Sequence, residues 1–192
     1  MFMRSERLFL RPGWDEDWQE IFTQIADEAV ARNLAQVPWP YTADDARAYA
    51  GRVQDGRHPH FLITVPGGQG AELIGCIGIK PGEDCGELGY WIGQQHWGRG
   101  FATEAARAVM SLARTLGHRQ LRARHFADNP ASGRVLRKLG FAPTGAVSES
   151  FSPARGAMAP SVVLAADLGD ASDCDASDCD AGDNCMPAKR AA

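Results

Sequence analysis

Glu87-Leu88-Gly89-Tyr90-Trp91-Ile92-Gly93-Gln94-Gln95-His96-Trp97-Gly98-Arg99-Gly100-Phe101-Ala102-Thr103-Glu104 decides the fold of this chain. A strand-like run over residues 87–92 passes through a turn of small residues, Trp97-Gly98-Arg99-Gly100-Phe101-Ala102, into a helical pattern over residues 103–116. Such a junction brings unpaired backbone N–H groups and the positive end of a helix dipole to one point in space. That arrangement binds phosphate.

Outward from the turn, the helix is well specified. Ala102, Ala105, Ala106, Val109, Met110, Ala113 and Leu116 share one face, Arg107, Ser111 and Arg114 the other, and Gly117 stops it. Residues 119–126 read as a strand. Asn129 caps a second helix whose first residue is Pro130, with Val135, Leu136 and Leu139 as its buried side and Gly140 at its end. Two further strands are expected at 141–147 and 159–168.

Toward the N-terminus, residues 7–12 alternate as a first strand, and residues 15–34 look helical in two pieces, with Trp18, Ile21, Phe22 and Ile25 on one stripe. Pro38 and Pro40 forbid helix across residues 37–41. Thr42 offers an N-cap, with Asp45 three residues on, for a helix reaching Val53. Residues 60–65 and 72–79 read as strands joined by Pro66-Gly67-Gly68-Gln69-Gly70, a hairpin signal. The order predicts an α/β fold: a mixed, mostly antiparallel sheet with a central parallel βαβ unit and helices on both faces.

The 192 residues suit one domain at 1–169, followed by a tail. Asp170-Ala171-Ser172-Asp173-Cys174 is repeated nearly verbatim at residues 175–179, so residues 170–192 read as an acidic, cysteine-containing, disordered segment. Removing the tail's six acids and two bases from the totals of 24 and 20 leaves 18 of each. A neutral body gives no reason to expect nucleic acid as a partner. No apolar run approaches the roughly 20 residues of a membrane span, and the first residues lack a signal-like apolar region, so a cytoplasmic location is expected. Five cysteines form no disulfide framework, and the five histidines form no metal pair at helical spacing, so no metal site is expected.

The turn, then Asn129-Pro130-Ala131-Ser132 about thirty residues later, then Leu139-Gly140-Phe141, closely resembles the GNAT superfamily of N-acetyltransferases, in particular its ribosomal-protein N-terminal (alanine) acetyltransferase-like branch. The resemblance implies an acyl-CoA N-acyltransferase fold with acetyl-CoA as co-substrate. The family pattern [QR]-x-x-G-x-[GA] can be laid on Gln95–Gly100 or, with Trp97 in first place, on residues 97–102; spacing favours the second. In that reading the backbone of Gly98, Arg99, Gly100, Phe101, Ala102 and Thr103 holds the pyrophosphate, while Trp97 departs from the pattern. The resemblance further implies that two parallel strands splay at Ile92. Backbone groups of Trp91 and Ile92 then take the pantetheine arm, and Asn129 contacts it, while Ser132 lies near the thiol.

Acetyl transfer to an amine needs a neutral nucleophile, a polarised carbonyl and a proton for the leaving thiolate. Glu87 matches the position where many relatives carry a base, acting directly or through water. Alternation puts it on the face of Gly89 and Trp91. Many members protonate the thiolate with a tyrosine; here that position is Leu136, which leaves Ser132 or water. Trp39 and Tyr41 are candidates to floor an acceptor groove for a protein N-terminus or a small-molecule amine. A homodimer is compatible with the fold, though no residue signals one. Two rivals stand beside the enzyme reading: a non-catalytic acyl-CoA-binding or sensor module of the same fold, and a nucleotide-dependent oxidoreductase. The latter lacks the third glycine of G-x-G-x-x-G, which falls at Thr103.

Overall fold

Local signals set most of the elements. The computed structural model describes residues 1–68 and 70–169; Gln69 and the acidic tail expected to be disordered lie outside the described residues. Along the chain run β1 (Met3–Arg4), β2 (Phe9–Arg11), α1 (Trp18–Ile25), α2 (Glu28–Ala31), α3 (Ala43–Ala50) and the hairpin β3 (His60–Gly67) and β4 (Gly70–Lys80). Then follow β5 (Gly86–Ile92), α4 (Phe101–Thr115), β6 (Gln120–Phe126), α5 (Pro130–Lys138), β7 (Ala142–Ser152) and β8 (Ala157–Asp167).

Capping fixes the helix ends. The Thr42 hydroxyl accepts from the Asp45 amide while the Asp45 carboxylate accepts from the Thr42 amide, so α3 starts where its sequence demands. It stops at Ala50, short of Val53, because Gly51 follows and Val53 is exposed with no core to join. Gly100 precedes α4 and Gly117 follows it, both in the left-handed region that a side chain resists. Asn129 Oδ1 accepts from the Ser132 amide and Pro130 opens α5.

The strands form one sheet in the order β1-β2-β3-β4-β5-β6-β8-β7, antiparallel throughout except for β5 beside β6. Helices cover both faces. Phe101, Ala105, Ala106, Val109, Met110 and Ala113 of α4 pack on Phe61, Ile63, Ile77, Leu88 and Leu121 of the sheet. On the opposite face Ile21, Ile25, Val30 and Ala46 from α1 to α3 enclose Leu62, Leu73, Cys76 and Trp91. β7 runs five residues past the strand expected to end at 147. Its outer half buries serines, so it carries no apolar alternation; the ladder from Val147–Val162 to Ser152–Ala157 and the Ser148 and Ser150 hydroxyls on Ser161 hold it.

One irregularity shapes the sheet centre. Ile63 pairs with Gly75 but Thr64 pairs with Leu73, so Ile74 is an extra residue in β4. After the bulge, Gly75 sits so close to β5 that an added Cβ would lie 2.2 Å from the Trp91 carbonyl oxygen. Gly75→Ala should therefore push β5 outward and cost about 1–3 kcal/mol in chemical denaturation, the usual toll of overpacking.

Candidate active site

β5 and β6 part company early. Their parallel pairing is confined to Gly86 with Leu121 and Glu87 with Arg122, after which β6 stays on β8 as far as Phe126 and β5 stays on β4 as far as Ile92. The opening expected at Ile92 thus begins at Leu88. A strand edge freed in this way can accept an extended, amide-bearing chain as though it were another strand. A groove of about 1830 Å3 passes through the opening. Glu87, Trp91, Ile92, Trp97, Gly98, Gly100, Phe101, Ala102, Thr103, Asn129 and Ser132 all line it; Arg99 does not.

The turn closes one end of the groove. Gly98 and Gly100 have φ of 74° and 81°, and among the described residues no backbone acceptor pairs with the amides of residues 98–103. Unpaired amides of this kind, at the positive end of a helix dipole, are suited to receive an anion. Trp97 does more than interrupt a pattern. Its indole Nε1–H donates to the Ile92 carbonyl at 2.7 Å, tying the turn to the end of β5. Gln95 donates to Gln24 of α1 at 2.7 Å. The Ile92 carbonyl keeps a second lone pair after its bond to Trp97, so it stays able to accept from an arm lying along β5.

An element far away in sequence braces the turn. Arg7 pairs with Glu104 in the first turn of α4 at 2.7 Å and donates from Nη1 to the Arg99 carbonyl, while its guanidinium lies 4.8 Å from the Phe101 ring centre. The Ser5 hydroxyl and the Arg7 amide also donate to Glu104, and these bonds hold its carboxyl below the usual range against the effect of burial. Arg99 turns back over Phe101, with its Cζ 4.7 Å from the ring centre. The Arg7 contacts were not legible in the sequence, since nearly a hundred residues separate Arg7 from its partners.

At the apex of the opening stands Glu87, on the sheet face that carries Trp91. Its Oε2 accepts from Arg124 Nη2 at 2.9 Å across the gap between β5 and β6, and its Oε1 has no partner among the described residues. Arg124 holds the carboxylate in place and leaves one oxygen for a proton. Lys80, opposite Glu87 in the β4 ladder, donates to Gln36 at 2.8 Å. From the other wall, Ser132 meets the Tyr90 hydroxyl at 2.8 Å. Burial pushes the Tyr90 phenol up to about 12, with the Ser132 hydrogen bond pulling the other way, so it remains protonated near neutrality. Leu136 is 1 % exposed in the core and offers no proton.

On the face of α1 to α3 the groove floor is aromatic. Tyr41, Tyr49, Cys76 and Trp91 line it, whereas half-buried Trp39 does not. The Tyr49 hydroxyl contacts Cys76 Sγ. Burial, and then Asp45 and Cys76, raise Tyr41 to about 12; burial raises Cys76 to about 11. Among the described residues no cluster of three His, Cys, Asp or Glu side chains could hold a metal ion, and no helix is long and apolar enough to cross a membrane.

Residues 7–142 match the acetyltransferase (GNAT) domain family. An uncharacterised N-acetyltransferase of Bacillus subtilis, YoaA, is 30 % identical over 156 residues, covering 77 % of this chain and 86 % of its own length. The p20 N-acetyltransferase of Bacillus licheniformis, also uncharacterised, is 28 % identical over 79 % of this chain and 88 % of its own. Among solved structures, a GNAT-family acetyltransferase from Bacillus anthracis superposes with a TM-score of 0.74 at 22 % identity, covering 88 % of this chain and 99 % of its own. RimL, a ribosomal L7/L12 alpha-N-protein acetyltransferase solved with coenzyme A, gives 0.70 at 18 % identity over 87 % and 98 %.

Two outcomes are expected. Arg7→Ala should weaken acetyl-CoA binding about three- to tenfold by calorimetry, a range that reflects loss of charge-assisted bonds at a half-exposed position. Raised tyrosine and thiol pKa values favour the folded state only while the groups stay neutral. That stability is intact below pH 9 and is lost as pH rises toward 11 and 12, so denaturation midpoints should fall through this window, and less steeply in Cys76→Ala.

Proposed function

The chain belongs to the GNAT acetyltransferase family, and we propose that it carries the acetyl group of acetyl-CoA directly to a primary amine in a ternary complex. The observation that supports this most is the alignment of three features in one groove. Free amides at residues 98–103 stand at its mouth, an unpaired β5 edge runs along its wall, and the Glu87 carboxylate stands at its apex.

In this reading the pyrophosphate rests on the turn, and the pantetheine arm runs beside Trp91 toward Glu87, passing Asn129. Asn129 uses one lone pair of Oδ1 on its cap, and its other lone pair and amide nitrogen remain for the arm. The amine nitrogen attacks the thioester carbonyl carbon; a C–N bond forms and the C–S bond breaks. Glu87 Oε1 takes the amine's proton, directly or through one water, and the thiolate leaves toward Ser132. General-base help of this kind contributes about 10²–10⁴ in rate.

The acceptor half of the groove favours an amine of low charge. Asp45 is engaged by Thr42, Asp55 by His58 and Asp128 by Arg155, so among the described carboxylates lining the groove only Glu28 and one oxygen of Glu87 stay open. A polyamine or a polycationic antibiotic would look for free ones. An aromatic floor beside one carboxylate suits a peptide N-terminus, which loses its proton near pH 8 and needs modest help. A screen of short peptides with free N-termini against polyamines, followed by thiol release from acetyl-CoA, tests this. Peptides should turn over faster, and Glu87→Gln should cut kcat about a hundredfold or more while acetyl-CoA still binds. Binding without turnover of any amine, unchanged by Glu87→Gln, would favour a sensor module instead.

A further inference from the structure

The contact between Tyr90 and Ser132 is unusual in its placement. Tyr90 lies on the stretch of β5 that has left β6, and Ser132 lies in the first turn of α5, so their hydroxyls bridge the two walls of the opening. The bond is 2.8 Å between oxygens, and Tyr90 also reaches the Ser132 carbonyl at 3.4 Å. A serine hydroxyl rotates freely unless a neighbour fixes it. Ser132's amide is already committed to Asn129, which pins its backbone, and Tyr90 is the side chain that touches its Oγ.

We infer that Tyr90 is a positioning residue: its phenol donates to Ser132 Oγ and so aims the serine's own proton into the groove, at the departing thiolate. This rests on the acetyl-CoA reading above and deepens it. The chain has leucine at 136, in the core, and the phenol arrives from β5 instead, one step removed from the sulfur. Tyr90 gives up no proton in this arrangement. It supplies a hydrogen bond, and the chain of two hydroxyls stabilises sulfur as an anion.

The consequence is measurable without knowing the acceptor. Coenzyme A bound to the protein carries the same thiolate, whose ultraviolet absorbance reports its titration. A hydrogen bond to the charged form lowers a pKa, so the bound thiol should titrate about one pH unit below its value in Tyr90→Phe and in Ser132→Ala. In the double variant the two effects should not add, because Tyr90 acts through Ser132. Equal titration in the parent and Tyr90→Phe, with Ser132→Ala shifted, would overturn the role of Tyr90 alone. Additive shifts would also overturn it, since they would mean direct contact between the phenol and sulfur. No shift in Ser132→Ala would overturn both the serine's role and this one. Calorimetry keeps the outcomes apart: each titration is read at a coenzyme A concentration that saturates that protein, and failure to bind the parent would strike the cofactor reading itself.

Discussion

Two backbone pairs, Gly86 with Leu121 and Glu87 with Arg122, are all that join the halves of the sheet in parallel. Everything chemical follows from their scarcity. β5 belongs to the antiparallel half built on β4, and β6 to the half built on β8. Each strand keeps a full partner on its far side, so the sheet holds together while the backbone groups facing the seam are left unpaired. Glu87 sits at the last joined pair, so the carboxylate marks the closed end of the cleft. Arg124 spans the seam just above it and restores with one ion pair part of the connection that the ladder gives up.

Much of this fold was legible because its signals are local. Thr42 with Asp45, Asn129 with Pro130, and Gly117 each work within one turn of chain, and the apolar stripe of α4 repeats at helical spacing. The features that escaped are of another kind. β1 is two residues long and exists only by pairing with β2. The bulge at Ile74 is a matter of register, which depends on the partner strand rather than on β4 itself. In the outer half of β7 the buried positions are serines, Ser150 and Ser152, while Phe151 is exposed, so hydropathy does not announce the strand.

The site divides in the same way. Its backbone part, residues 98–103 and β5, could be read from small residues between a strand and a helix. The side-chain part could not: Arg7 with Glu104, Arg124 with Glu87 and Tyr90 with Ser132 join residues 97, 37 and 42 positions apart. The sequence assigns Tyr90 no role and marks Trp97 only as a departure from the motif, yet both make polar contacts. What their polar atoms do depends on where the chain returns. Arg99 is expected to serve through its backbone, and its side chain is free to fold over Phe101.

The outermost strand carries a consequence of its own. β7 ends the sheet, and eleven residues of edge would ordinarily invite pairing with another molecule's strand. Its ladder to β8 breaks between Pro143 and Val147, where Gly145 takes a positive φ and Pro143 offers no N–H. The edge is therefore bent and interrupted near its start, and a straight, continuous template is never presented. A protein whose working cleft depends on loosely joined strands exposes unsatisfied backbone inside; this kink limits what it exposes outside, and with it the tendency to aggregate through its rim.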